Sequence, residues 1–506
     1  MRYRELLWRI PLALASGLVA LYTFPTENVW VLAPLIPGLL LIATLGLGFW
    51  WAWLLGFLAG QAFYVSHIEW ISLYLGPVPL IALSTLQSLY YAFGAALTAW
   101  LYKKLKPRGI ELYFFALAAT SIWTLREFLA NNFPYGGFPW SRMAMTQTDS
   151  FMMKWVFWGG MSLLTFMITL IGVLGAIWLT NRTGRSRLGA RPVAATILMV
   201  ALIPVITPTS LTTTQTGTKV VAAVQGNANA GLFSNVDRGT ILQNHLDATE
   251  LVFDHPLVDQ VDLLVWPENS SDVDPLRSET ARQKIQQLSD RINAPFSFGT
   301  ITARGDESFN STLLWQPGVG PTDYYDKKQP VPFAEYAPDR EFWRMFAPDL
   351  VDMIPRGFSF GQRDGIFEIS EDFTAGTLIC FEIAEDSILR ELSADGAEII
   401  LSQTNNADFG YSDETFQQAG IARLRAVETG RTIVNISTVG LSAIYLPSGE
   451  ILSEVEWYTP AAMVEEVPLY SGLTPAMFIG KFFDYVNAVV VIALIGLGLN
   501  RKTRRR

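Results

Sequence analysis

The chain has 506 residues, half of them apolar and only 16% charged, against about 25% charged in an ordinary soluble protein. That balance excludes a disordered or collagen-like chain. One cysteine and three scattered histidines (His67, His245 and His255) exclude a disulfide scaffold and a typical zinc site, and a net charge of −9 argues against nucleic acid as a partner.

In chain order, apolar runs near the ~20 residues that a helix needs to cross a bilayer fill 8–24, 28–45, 47–65, 78–101, 112–130, 154–179 and 193–208. An eighth fills 483–499. The first run follows MRYRELLWR and reads as a retained helix rather than a cleaved signal, because further spans follow at once. Basic residues stand at Arg2, Arg4 and Arg9; at Lys103, Lys104, Lys106 and Arg108; at Arg182, Arg185, Arg187 and Arg191; and in the tail RKTRRR. With eight spans all four groups fall on one side, the cytoplasmic side by the positive-inside rule. The expected organisation is a seven-span membrane domain over 1–210, an extracytoplasmic domain over 211–475, and an eighth span with a basic cytoplasmic tail over 476–506. Arg126 and Glu127 sit near the outer end of the fifth span. Charges there are costly, and they read as headgroup binding or as a structural ion pair.

Between the last two spans the sequence turns mixed and polar. Residues 218–226, 261–268, 295–302, 311–317, 374–382, 397–404 and 431–438 are short, β-branched and continuously apolar, which predicts strands buried on both faces. Residues 239–253, 277–292, 384–394 and 413–429 predict helices. The alternation predicts a layered α/β domain, and chemistry in such domains gathers where strands end in loops. Glu268 closes the strand of VDLLVWPE, where a carboxylate costs desolvation unless it has a partner or a task. Cys380 closes TAGTLIC. Lys327 lies in YYDKKQPVPFAEYAP. Taken singly, a lone cysteine reads first as a small buried hydrophobe and a lone loop lysine as a surface residue.

Taken together, WPE, then YxK with PFxE, then CFE, in this order and at these spacings, resemble the nitrilase superfamily. Eight spans with the soluble domain between the seventh and eighth are similar to the apolipoprotein N-acyltransferase family within it. LREFLANNFPYGGFPW (125–140), NNADFG (405–410), ARLRAVETGR (422–431) and STVGLSA (437–443) also track that family. The resemblance implies an inserted α-β-β-α sandwich on a polytopic helical membrane protein. It implies Glu268 as general base, Lys327 as oxyanion donor and Cys380 as nucleophile, with Glu335 and Glu382 in support. It implies substrate-binding or lid roles for Trp140, Trp343, Phe346, Phe358, Asn405 and Asn406.

The implied reaction passes a phospholipid acyl chain through a Cys380 thioester to the α-amino group of a diacylglyceryl-modified apolipoprotein, without metal or other cofactor. The implied enzyme is a monomer in the cell membrane with both termini cytoplasmic. A membrane-bound nitrilase-type amidase that passes the acyl group to water carries the same triad, and a transporter with a silent ectodomain is the reading from another class. Four positions depart from the family pattern: Ala334, Phe381, Asp408 and Gln418. The aromatic segment 341–361, with Phe342, Trp343, Phe346, Phe358 and Phe360, is expected to form a lid at the membrane surface.

Overall fold

The computed structural model describes residues 3–107, 109–181, 189–231, 234, 237–354 and 357–500. Arg2, Arg108, Arg182, Arg185, Arg187, Pro355 and the basic tail lie outside the described residues. The chain divides into two units, one of Met1–Ser72, Gly76–Pro208 and Phe478–Arg506, the other of Leu73–Leu75 and Thr209–Met477.

The first unit is helical. It contains α1 (Tyr3–Leu21), α2 (Leu35–Thr44), α3 (Phe49–His67), the start of a short α4 (Ile71–Leu75), α5 (Pro77–Leu105), α6 (Glu111–Ala130), α7 (Trp155–Thr180) and α8 (Ala190–Ile206). Most of the C-terminal helix Pro475–Asn500 completes it. The boundaries of α5 follow from its sequence. Proline occupies its first turn, where no amide donor is needed, and Lys103 and Lys104 stand in its last turn, where cations suit the helix dipole. Among the described residues, Pro77–Leu105, Phe151–Thr180 and Pro475–Asn500 are long and apolar enough to cross a membrane. Leu7–Leu21, Trp30–Thr44 and Ala190–Ile206 are shorter apolar helices. This is the character of a membrane protein.

Arg126 and Glu127 are both buried in this unit. The guanidinium lies 3.8 Å from the Tyr91 ring centroid and 4.2 Å from that of Trp123, and 3.4 Å from Glu127 Oε1. Glu127 also accepts from Trp123 Nε1, from the Met143 amide and from Thr165 Oγ1. The pair ties α6 to α7 and to the turn at Met143, the arrangement a buried charge requires.

The second unit is α/β. Its elements are β1 (Thr213–Gln225), α9 (Thr240–Phe253), β2 (Val261–Val265), α10 (Glu279–Ile292), β3 (Phe296–Arg304), β4 (Glu307–Gln316) and β5 (Gly320–Asp326). After them come α11 (Arg340–Arg344), α12 (Pro348–Asp352), β6 (Ile366–Ser370), β7 (Phe373–Ile379) and α13 (Asp386–Ala394). The unit continues with β8 (Ile399–Thr404), α14 (Glu414–Thr429), β9 (Thr432–Ser437), β10 (Ser442–Tyr445), β11 (Ile451–Val455) and β12 (Ala461–Gly472).

The strands form two six-stranded sheets, ordered β12-β1-β2-β3-β4-β5 and β11-β10-β9-β8-β7-β6. Each has a parallel centre, β1-β2-β3 and β7-β8-β9, and antiparallel flanks. Side chains alternate across each strand. Thus Val221 and Ala223 of β1 join Leu401, Val434 and Ile436 of the other sheet in one core. Val220, Ala222 and Val224 face outward to Leu242, Val252, Ala281 and Ile285 of α9 and α10. With α13 against β7 and α14 against β9, the layers run helix, sheet, sheet, helix.

The seven strands read from the sequence become twelve among the described residues. The five missed are β5, β6, β10, β11 and β12, four of which are sheet edges. Edge strands keep one side wet, so they lack the continuous apolar run of a central strand. β12 alternates, with Val467 and Leu469 buried and Glu466 exposed. β11 is largely exposed. The helix expected from 384 begins at Asp386, because Cys380–Ala384 is a tight 3₁₀ turn.

Candidate active site

Three strand ends meet between the sheets. Beyond β2, Trp266 is wholly buried, its indole donating to Thr249 Oγ1 at 2.9 Å and its carbonyl accepting from Gln403 Nε2 at 2.5 Å. Pro267 then turns the chain into Glu268. Both sheets grip that residue. A Cβ at Gly299 of β3 would stand 2.6 Å from Glu268 Cα, so only glycine admits the approach. From the other sheet, Thr438 Oγ1 donates to the Glu268 carbonyl at 2.9 Å.

The Glu268 carboxylate, 5% exposed, accepts from Asn310 Nδ2 at 2.7 Å. The same nitrogen donates to Glu335 Oε1 at 3.1 Å. Lys327 follows β5 and is 2% exposed, with its backbone held by the Asn310 carbonyl and the Gly361 amide. Its Nζ lies 2.8 Å from Glu335 Oε2 and 3.9 Å from Glu268 Oε1. Lys328 points elsewhere, to Asp364 at 2.9 Å and to Glu391.

Cys380 opens the turn after β7 with φ at 54°, a left-handed backbone unusual outside glycine and characteristic of strained functional positions. It is half-buried. Glu382 fixes the turn. One carboxylate oxygen accepts from the Ile379 amide at 2.8 Å, and the other from the amides of Lys328 and Gln329 at 2.8 and 3.0 Å. Tyr325 donates to the same carboxylate. The turn that carries the thiol and the loop that carries Lys327 are thereby buckled together through one buried acid.

The charges follow from this packing. Burial pushes the Glu268 carboxyl up to about 7, with the Glu335 and Asp408 charges adding and Lys327 and Asn310 opposing. Burial works against the Lys327 ammonium, but the carboxylates of Glu335 and Glu268 outweigh it and hold the group cationic. Burial first and Glu268 second push the Cys380 thiol up, against Lys327. The resting site therefore holds a protonated thiol, a carboxyl that exchanges its proton near neutrality and a fixed cation. That set suits nucleophilic attack coupled to proton transfer.

The sequence model described as carbon-nitrogen hydrolase matches residues 220–471, which include every one of these groups. The one described as the apolipoprotein N-acyltransferase N-terminal domain matches 16–174. Among curated proteins, the apolipoprotein N-acyltransferase of Mycolicibacterium smegmatis is 32% identical over 95% of this chain and 83% of its own. The chain belongs to the apolipoprotein N-acyltransferase family. The family member from Photobacterium profundum is 26% identical over 99% of this chain and 96% of its own. That from Azotobacter vinelandii is 28% identical over 98% and 95%. As a member of the apolipoprotein N-acyltransferase family the chain is an acyltransferase, built on a nitrilase-like α/β domain.

The remaining residues singled out from the sequence are placed unevenly. Trp140 is packed in the interior of the helical unit, edge-on to Trp70 with ring centroids 5.8 Å apart, rather than on a surface. Trp343, on α11, stands edge-on to Phe333 at 5.4 Å, while Phe346 is 69% exposed beside exposed Phe342 and Met345. The C-terminal end of this segment reaches the site. The Phe358 amide donates to the Glu335 carbonyl at 2.9 Å and the Gly361 amide to the Lys327 carbonyl at 2.9 Å. Asn405 caps its own turn through the Ala407 amide, whereas Asn406 is buried and bonded to Glu414 and Gln418.

Asn310 and Glu414 were invisible in the sequence, since a polar residue in a strand and a glutamate in a first helical turn carry no signal of their own, while Tyr325 stood in the YxK motif without a role of its own. Gln418 was visible only as a departure from the family pattern. Among the described residues, the one cluster with metal-ligand spacing is Asp364, Glu391 and Asp395, and Lys328 already bonds the first two.

Proposed function

We propose that the enzyme moves an acyl chain from a phospholipid to the α-amino group of a diacylglyceryl-cysteine at the N-terminus of an apolipoprotein, in two steps through a Cys380 thioester. The observation that carries this reading is the buried Glu268–Lys327–Glu335 cluster beside a cysteine on a left-handed strand-end turn. In the first step Cys380 attacks the acyl ester, its proton passes to Glu268, and Lys327 neutralises the tetrahedral oxyanion. The ester C–O bond breaks, and Glu268 returns the proton to the departing lysophospholipid hydroxyl. In the second step the lipoprotein amine attacks the thioester and gives a proton to Glu268, the C–S bond breaks, and Glu268 returns that proton to the departing thiolate. Fixing a cation where negative charge develops, in a site shielded from water, is the largest contribution such a site makes. Glu335 holds that cation in place, and Glu382 aligns the two loops.

In this reading eight helices span the cell membrane, with the first seven in residues 1–210, the catalytic domain in 211–475 outside the cytoplasm, and the eighth span with its tail in 476–506. The monomer then presents its thiol to the outer leaflet. Trp343, Phe346 and Phe358 belong to a lid whose exposed aromatic residues suit a lipid interface. The test is product analysis. Full-length enzyme in vesicles, given phospholipid with a labelled acyl chain and a synthetic diacylglyceryl-cysteine peptide, should yield N-acyl peptide. Labelled free fatty acid with unmodified peptide would make the enzyme a hydrolase instead.

A further inference from the structure

Gln418, on α14, has no role in the reaction described above. Its side chain is buried, and its Nε2 donates toward the Cys380 sulfur at 3.6 Å. The direction of that bond is dictated by its neighbours. The main-chain amide of Gly440 donates to Ser437 Oγ at 2.8 Å, which leaves the Ser437 proton for Asn406 Oδ1 at 2.5 Å. A Cβ at residue 440 would collide with Asn406 Oδ1, so glycine allows this link to close. Asn406 Nδ2 then has two protons to give. One goes to Glu414 Oε2 at 2.6 Å and the other to Gln418 Oε1 at 2.8 Å. Thr404 Oγ1 donates to the same Gln418 oxygen at 2.7 Å. With two donors on its oxygen, the amide presents N–H to the sulfur; a flipped amide would set donor against donor.

We infer that Gln418 is a further catalytic residue, a neutral N–H donor that stabilises the Cys380 thiolate in both half-reactions, and that Asn406 and Glu414 are positioning residues that hold its amide. The inference rests on Cys380 being the nucleophile proposed above. In the first half-reaction the thiol proton passes to Glu268 while the S–C bond forms and the ester C–O bond breaks. In the second the N–C bond forms, the S–C bond breaks, and the sulfur leaves with both bonding electrons. Negative charge therefore sits on sulfur at the start of one and the end of the other. Lys327 is committed to Glu335 and to the oxyanion. A second cation beside the sulfur would also make Glu268 a weaker base, whereas an amide donor does not. Burial holds the Glu414 carboxyl up to about 8, so at neutral pH it anchors Asn406 largely without adding repulsion against the thiolate.

The test uses the full-length enzyme in detergent, without acyl donor or lipoprotein. The rate of Cys380 alkylation by iodoacetamide is followed against pH for wild type, Gln418→Met and Gln418→His, with thermal unfolding as the check on folding. A hydrogen bond to an ionised group is worth roughly 10- to 100-fold in rate. Gln418→Met should slow alkylation at pH 7 by that factor and displace the thiolate limb to higher pH, and Gln418→His, which restores an N–H, should recover most of it. A wild-type profile in folded Gln418→Met, or equal profiles for the Met and His variants, overturns the inference. Should Gln418→Met not fold, Asn406→Asp replaces it. That change sets an acceptor against Gln418 Oε1 and should produce the same displacement, and an unmoved limb again overturns the inference. Since the assay contains no acyl substrate, failure of acyl transfer and failure of this inference are separate results.

Discussion

Replacing Glu335 with Gln should lower the pH at which the enzyme becomes active. Glu268 must be ionised to accept the thiol proton, and its carboxyl stands at about 7 with the Glu335 charge among the causes. Both carboxylates are bonded to Asn310 Nδ2, at 2.7 and 3.1 Å. Two oxygens on one nitrogen at those distances cannot lie more than about 6 Å apart. At ~5 Å and an effective dielectric near 20, repulsion between them is roughly 3 kcal/mol, or ~2 pK units. Relaxation of the site reduces the expected shift to about one unit. Lys327, released from its 2.8 Å contact with Glu335, can also close on Glu268 from 3.9 Å, which acts in the same direction. The assay is single-turnover acyl-enzyme formation from labelled phospholipid between pH 5 and 9. In wild type the rate should rise through about pH 7; in Glu335→Gln the limb should sit about one unit lower, with a reduced plateau because a weaker base accepts the proton. A limb that stays put or moves to higher pH would refute the assignment of Glu268 as the base and Glu335 as its charged neighbour.

Lys327→Met should slow acylation by about 100- to 1,000-fold. It leaves two carboxylates without their counter-charge, so the activity limb should move above pH 7 in the same single-turnover assay. Trp343→Ser with Phe346→Ser should impair acyl transfer from vesicles several-fold while leaving alkylation of Cys380 by a soluble reagent within about twofold, since exposed Phe346 and half-buried Trp343 serve the interface rather than the chemistry. Glu414 carries a stability signature. Its carboxyl is raised by burial from 4.5 to about 8, so it stabilises the fold when protonated, and that contribution is lost as pH rises from about 4.5 through 8. Glu414→Gln should therefore unfold at a higher temperature than wild type, by a margin that grows between pH 5 and pH 8.

What could be read from the sequence depended on whether a residue announces itself within its own segment. Central strands such as β2, β7 and β8 are buried on both faces and stand out as continuous apolar runs. Glu268 and Cys380 were legible because each closes such a run. Lys327 was legible through its spacing from Glu335, eight residues on. Edge strands β5, β6, β11 and β12 share their pattern with loops and were missed. The roles of groups defined by a partner distant in sequence were not legible either. Asn310 matters because Glu268 is 42 residues before it and Glu335 is 25 after, and Gln418 because Cys380 lies 38 residues before it. Trp140 shows the converse. A motif drew attention to it, but its place in the interior of the helical unit could not be read from that motif.

The central claim is that Cys380 carries the acyl chain between the two substrates. The direct measurement is a pulse and chase on the full-length enzyme. Labelled phospholipid is added alone, the protein is digested, and the modified residue is located by mass spectrometry; then diacylglyceryl-cysteine peptide is added to the acylated enzyme without further lipid. One acyl group is expected on Cys380, labile to hydroxylamine, absent from Cys380→Ala, and transferred to the peptide amine as the enzyme adduct disappears. An acyl adduct on another residue, or N-acyl peptide formed by Cys380→Ala, would contradict it.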